Sequence, residues 1–279
     1  MDIVYAETAE EALYYMARGC EPIECSFGKD SVVSSHILDH HGPFSKEPPV
    51  AVKAVQWVKK GLRLNNFVVT GEPDTDAAFA IAVLSDHIPA NEEEAWAVAE
   101  LDTNPIVYDQ TLPRYRKALL HRRAMLSLPH SEEGFRRSVA EAIRIFNGQY
   151  KPDEEATAIK EEWNRRKYAG EAVRMISKDR KVLFATFNDW GQDVWFRKAP
   201  VVVNFNDAKG TITLYCDTKS PRNPLGSNGL KSLYPLLGDG WGGRENIGGS
   251  PRDRVMTYAN ARQTFVAIKE LLRKPVAAV

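Results

Sequence analysis

The stretch that decides the reading is "CSFGKDSVVSSHILDHHGPF", Cys25 to Phe44. Its first part, Ser26 to Ser31, combines glycine, lysine and hydroxyls in an order that could wrap backbone N–H groups around a phosphate. Such a loop wants small residues and a helix behind it. Here Phe27 stands where a second glycine would serve, and "VVSSHIL" follows, a β-branched run that starts a helix poorly. A hairpin with Lys29-Asp30 at its turn accounts for the same residues, pairing "PIECSFG" with "SVVSSHIL". The second part, Asp39-His40-His41-Gly42, brings a carboxylate and a pair of imidazoles to what reads as a strand end. That donor set suits Mn²⁺ or a related divalent ion.

Outward from this stretch the first half alternates strands and helices. "DIVYA" is a short strand, and Thr8 with Glu11 forms a capping box for a helix that Gly19 ends. "PVAVKAVQWVKKG" has helical apolar spacing, "NNFVVTG" is a buried-type strand, and "AAFAIAVLSDHI" is an apolar helix. Asn91 with Glu94 opens a further capped helix that runs to Leu101-Asp102. This alternation predicts an α/β layer with ligands gathered at strand ends. Residues 131–179 turn helical, with a stripe of Phe135, Val139, Ile143 and Phe146. Strand-like runs "KVLFATFND", "DVWFRKAPVVVNFND" and "GTITLYCDT" follow, then a glycine-rich loop and a final helix carrying Val255, Ala259, Phe265 and Leu272. The expected organisation is a mostly parallel-sheet catalytic domain over 1–150, a helical connector over 151–185 and a smaller α+β domain over 186–279.

Bulk composition narrows the function classes. The chain's 279 residues carry 37 Lys and Arg against 37 Asp and Glu, so no overall field draws it to long nucleic acid or an anionic membrane. No apolar run approaches the length of a membrane span. The start reads as a strand and capped helix rather than a signal peptide. Cys20, Cys25 and Cys216 show no CxxC spacing, which argues against a disulfide framework or a structural zinc site. A reducing cytoplasm is the expected location.

The ligand-type residues continue in "FVVTGEPDTDAAFAIA". Asp74 and Asp76 follow an apolar strand and precede an apolar helix, where an Asp-x-Asp pair can aim both carboxylates at one site. One of them serves equally as a helix cap. In "AELDTNPI", Asp102 is a third candidate, although an Asp before Thr-Asn-Pro is commonly a turn residue. His87, His121 and His130 read as ordinary surface or partly buried residues. Arg122 and Arg123 read as a solvated helical face, and Trp241 is the one aromatic nominated for base stacking.

Together "LDHHG", "PDTD" and the lone Asp102 resemble the motifs of the DHH phosphoesterase superfamily, which includes manganese-dependent pyrophosphatases, single-strand exonucleases, nanoRNases and cyclic-dinucleotide phosphodiesterases. The resemblance implies Asp74 and Asp76 on one metal each, Asp102 bridging, and His40 on the second metal. It places Asp39 and His41 in catalytic or ligand-orienting roles. It also implies a Mn²⁺ cofactor, with two ions, or Mg²⁺ or Co²⁺ in its place. The order is permuted, since DHH precedes the Asp-x-Asp motif here. The family's upstream His is missing, which leaves Glu72 or His36 to fill its place, and Asp30 or Asp109 for the last metal-binding Asp. In the second half, Lys219-Ser220 and the loop with Gly242, Gly243, Gly248 and Gly249 resemble the family's substrate-binding segment. Arg244 stands in the usual His position, and Arg252 adds a further charge.

The implied activity is metal-dependent hydrolysis of a phosphoester or phosphoanhydride, in a short single-stranded oligonucleotide or small nucleotide, in the cleft between the domains. Asn at Asp76 or Asp102 is expected to stop turnover and leave the fold intact. A nucleotide-binding sensor with a degenerate site is the alternative reading. Ser26 to Ser31, "SFGKDS", also resembles the loop of ATP pyrophosphatases, a reading that would make Lys29 essential.

Overall fold

The computed structural model describes residues 1–27, 30–41, 44, 47–103, 112–251 and 254–273, without the side chains of Asp30 and Thr103. Lys29, Gly42, Asp109 and Arg252 lie outside them. The chain is mixed α/β and divides into two compact units, one running to Glu162 and the other from Trp163 onward.

The first unit holds β1 (Asp2–Tyr5), α1 (Ala9–Met16), β2 (Glu21–Pro22), β3 (Cys25–Phe27), β4 (Asp30–Val32), α2 (Val50–Lys59), β5 (Asn66–Val69), α3 (Thr75–Leu84), α4 (Glu92–Thr103), α5 (Arg116–Met125), α6 (Glu132–Phe146) and the first part of α7 (Pro152–Glu171). Its sheet is wholly parallel in the order β1-β5-β2, with Ile3 opposite Phe67 and Pro22 opposite Val68. Thr8 and Asn91 cap their helices as read, Thr8 Oγ1 accepting from Glu11 N and Asn91 Oδ1 from Glu93 N and Glu94 N, although Glu11 Oε2 accepts from Glu7 N, which leaves the Thr8 box half made. Ser131 Oγ, not read as a cap, accepts from Gly134 N. Helix α3 is buried on every face, as its unbroken apolar composition requires, and packs against α2 and α6.

The opening stretch folds partly as expected. β3 and β4 pair antiparallel with Phe27 opposite Asp30; Asp30, expected at the turn, is already in β4, and Lys29 lies outside the described residues. The strand does not continue to the histidines. After Val32 the chain leaves the ladder, Ile37 adopts a left-handed φ of 49°, and Asp39-His40-His41 arrives on an irregular segment. The physical reason lies in Ser34, whose Oγ accepts from His36 N and closes a local turn that competes with strand pairing.

The second unit is a six-stranded mixed sheet. It contains β6 (Val173–Ile176), β7 (Val182–Thr186), α8 (Gln192–Trp195), β8 (Val201–Asn206), β9 (Thr211–Cys216), α9 (Tyr234–Leu237), β10 (Gly242–Gly243), β11 (Ile247–Gly249) and α10 (Tyr258–Leu271), with strand order β10-β11-β9-β8-β7-β6. The stretch 151–185, expected as a helical connector, is helical only to Glu171, and its remainder supplies β6 and most of β7. Alternate residues of β7 face opposite sides. Val182 and Phe184 pack with Ala261, Phe265 and Ile268 of α10, while Leu183 and Ala185 pack with Trp195 and Phe196. Val255, expected on the final helix's apolar face, precedes that helix and is 83% exposed.

The glycine-rich segment is an ordered β-hairpin on the edge of this sheet, with Gly242 opposite Gly249 and Gly243 opposite Gly248. Gly243 and Gly248 answer to packing. Tyr234 Oη donates to Arg244 O at 2.7 Å, and a methyl group built on Gly248 would stand 2.0 Å from that hydroxyl oxygen. Gly248→Ala is therefore expected to destabilise this unit by about 1–3 kcal/mol through overpacking. Adding Tyr234→Phe should recover part of the lost melting temperature. An unchanged melting temperature for Gly248→Ala would refute the packing role.

Candidate metal centre

The site is built at the carboxyl end of the first unit's short parallel strands, where loops and helix starts converge. His40, only 7% exposed, lies at its middle. Its Nε2 is 3.3 Å from Glu24 Oε1 and 3.5 Å from Asp102 Oδ2, and its Nδ1 is 3.7 Å from Asp76 Oδ2. Both ring nitrogens thus face carboxylates that come from three other segments. Among the described residues, two groups have ligand atoms close enough to share a cation: Glu24 with His40 and His41, and His40 with Asp76 and Asp102.

Glu24 is the residue the sequence reading missed. It follows the two-residue strand β2, has a left-handed φ of 51°, and its N–H donates to Leu38 O at 2.9 Å. Its carboxylate is buried, 3.3 Å from His40 Nε2 through Oε1 and within side-chain hydrogen-bonding reach of Asp74. Burial, with the charges of Asp74, Asp76 and Asp102, pushes its carboxyl well above the usual carboxylate range. Burial and the charges of Asp102 and Asp74 do the same to Asp76, against two backbone N–H groups that pull the other way. Several acidic groups packed around one imidazole is a costly arrangement without a cation and a natural one with it. The donor set of carboxylate oxygens and imidazole nitrogen fits a divalent ion of the Mn²⁺ type.

The remaining expected residues are placed as follows. Asp74 caps α3, its Oδ1 accepting from Ala77 N at 2.7 Å. Asp76, fully buried, accepts from Val50 N at 2.8 Å and Ala51 N at 2.9 Å, so it also caps α2 from outside that helix. Asp102 is on the last turn of α4 rather than beyond it. Asp39 belongs to neither cation-sized group. Its Oδ1 accepts from His41 N at 2.8 Å and lies 3.0 Å from His41 Nδ1, while its Oδ2 accepts from Ser26 Oγ at 3.0 Å. Although burial alone would raise the Asp39 carboxyl, the His41 and Ser26 contacts hold it below its ordinary value. The same His41 Nδ1 is 4.0 Å from Glu24 Oε1, so Asp39 orients the ring beside that carboxylate.

His36 is also outside the two groups, with its Nδ1 3.0 Å from Glu21 Oε1 and its ring edge-on to Trp57. Glu72 pairs with His130 at 3.3 Å and is largely exposed. In the second unit, Lys219 N donates to Asp217 Oδ1, and Ser220 N to Asp217 O, which makes that pair part of a turn after β9. Arg244 is exposed at the β10–β11 hairpin.

No protein-family model matches the chain, and no curated protein matches it. Among solved structures, it aligns over 76% of its length with 82% of PggH, a pGpG-specific phosphodiesterase of Vibrio cholerae, at 10% identity and a TM-score of 0.44. It aligns over 76% of its length with exonuclease RecJ bound to manganese, at 13% identity and a TM-score of 0.31, spanning 66% of that chain, just under two thirds. A third likeness is to an uncharacterized protein from Helicobacter pylori G27, over 80% of this chain and 78% of that one, at 11% identity and a TM-score of 0.24. At such scores these are loose likenesses, and the site is read from its own residues. The resemblance to the DHH phosphoesterases is one of gathered motifs rather than of chain order, because the segments carrying Asp39-His40-His41, Asp74/Asp76 and Asp102 converge on His40.

Proposed function

We propose that this chain is a metal-dependent phosphodiesterase that cleaves a short oligonucleotide or small nucleotide. The observation that carries the reading is His40, enclosed by Glu24, Asp76 and Asp102, with the buried Glu24 and Asp76 carboxylates both facing its ring. A bound divalent ion supplies charge stabilisation at the phosphoryl oxygens and a water acidic enough to attack at neutral pH. The chain's own residues would do the rest. Glu24, His40, Asp76 and Asp102 would hold the cation, His41 would complete the set on the Glu24 side, and Asp39 would orient His41. Asp74, capping α3 beside them, adds negative charge that strengthens cation affinity.

In the second unit we assign substrate phosphate to Arg244, whose exposed guanidinium can grip two phosphate oxygens at once. Arg244→Ala is expected to raise KM with kcat held, the signature of lost uniform binding. A KM unchanged across dinucleotides and longer oligonucleotides would remove that role.

The direct test is hydrolysis of short single-stranded oligonucleotides, linear and cyclic dinucleotides and pyrophosphate by metal-stripped protein, with and without Mn²⁺. Metal-dependent release of product supports the enzyme. Binding of both metal and nucleotide with no turnover would instead indicate a sensor.

A further inference from the structure

The segment that delivers Asp39-His40-His41 is held in an arrangement its own sequence does not favour. Ile37, a β-branched residue, is at φ 49°, a conformation such residues adopt only where the surroundings over-determine it. Four consecutive carbonyls, from residue 36 to residue 39, are each taken by a donor from elsewhere. Trp57 Nε1 donates to His36 O at 3.2 Å, Lys53 Nζ to Ile37 O at 2.6 Å, Glu24 N to Leu38 O at 2.9 Å, and Lys53 Nζ to Asp39 O at 3.5 Å. Lys53 is the unusual member. It is 5% exposed, on the buried face of α2, where an ammonium is costly unless paired. Its remaining partner is Glu47, at 3.0 Å.

Lys53 and Trp57 are one helical turn apart and so reach the segment from the same face of α2. The start of that helix is fixed by Asp76 through Val50 N and Ala51 N. One helix therefore ties the histidine segment to an acidic residue of the cluster. We propose that Lys53 is a positioning residue for the metal centre, holding the backbone of residues 37–39 so that His40 and His41 meet Glu24, Asp76 and Asp102. This rests on the metal-centre reading above.

The test compares wild type, Lys53→Met and Lys53→Arg in the full chain. In metal-free protein, amide hydrogen exchange over residues 36–41 should speed up at least tenfold in Lys53→Met, with β1 and β5 unchanged. Lys53→Arg, which keeps charge and donors, should restore much of the protection. With Co²⁺ as a spectroscopic probe, Lys53→Met should weaken metal affinity about 10–100-fold, the usual range for losing an outer support of a ligand. Lys53→Arg should recover part of it. Unchanged exchange over 36–41, or exchange raised equally in β1 and β5, would overturn the positioning role. A wild type with no Co²⁺ spectrum would defeat the metal reading instead, and the exchange arm would still decide whether Lys53 holds the segment.

Discussion

His40→Ala is expected to abolish specific Mn²⁺ binding and to cut metal-dependent hydrolysis by more than about 100-fold. The loss of an outer support at a metal site costs about 10–100-fold, and a direct ligand costs more. His40 is the residue common to both cation-sized groups, within 3.3–3.7 Å of Glu24, Asp76 and Asp102, so its removal leaves neither group intact. The buried ring also fills space, so some thermal stability should be lost as well. His40→Gln, closer in volume, separates the two effects by losing the metal with a better-kept fold. Retention of metal-dependent turnover by either variant would contradict the account.

Asp76→Asn should have opposite consequences with and without metal. In the metal-free protein the Glu24 and Asp76 carboxyls lie above their unfolded values, so the folded chain holds more protons than the unfolded one over that interval. The associated stability is present below the unfolded values and is lost as pH rises through the folded ones. The Asn variant lacks the Asp76 share of this loss, and Glu24 has one charged neighbour fewer. Its stability should fall less than that of wild type as pH rises above the ordinary carboxylate range. At the acid end the variant starts lower. An amide offers one acceptor oxygen where Asp76 serves both Val50 N and Ala51 N, and an unsatisfied buried donor costs about 1–3 kcal/mol. Mn²⁺ at 100 times its Kd should then add about 2.7 kcal/mol to wild type and nothing to the variant. Melting curves across pH, in chelator and in Mn²⁺, measure both effects. Equal pH slopes and equal gains from metal would refute the role of Asp76. The expectation that this variant leaves the fold untouched is thus revised, because Asp76 also fixes the start of α2, whereas Asp102 near the end of α4 remains the simpler probe.

Local physics explains which features could be read from the sequence. Caps at Thr8 and Asn91 depend on neighbours within three residues, and they were legible. The pairing of the two runs in the opening stretch was legible for the same reason, as were the long apolar helix α3 and the β-branched runs of β8 and β9. Asp74, Asp76 and Asp102 stood out at helix ends, and His40 because it stands between two other ligand-type residues. Glu24 did not. It is a lone acid in "PIECSF", after a two-residue strand whose partner β5 lies more than forty residues on, and its left-handed backbone leaves no periodic trace. The second task of Asp76 was equally hidden, since its donors at Val50 and Ala51 are 26 and 25 residues away. The strand expected to end in Asp39-His40-His41 failed at Ser34, where a side-chain turn outweighed β propensity. In the glycine-rich segment, composition suggested close approach of a ligand. At Gly248 the group that approaches is Tyr234.

No helix among the described residues is long and apolar enough to cross a membrane. Small phosphorylated nucleotides are the partners to test first once the metal centre has been tested. The most direct measurement is a calorimetric titration of metal-stripped protein with Mn²⁺, in buffers of differing ionisation heat, beside His40→Ala. The account predicts saturable binding in the wild type with release of protons from the raised carboxyls, and no specific binding in the variant. Absence of specific Mn²⁺ binding in the wild type, or binding that survives His40→Ala unchanged, would contradict it.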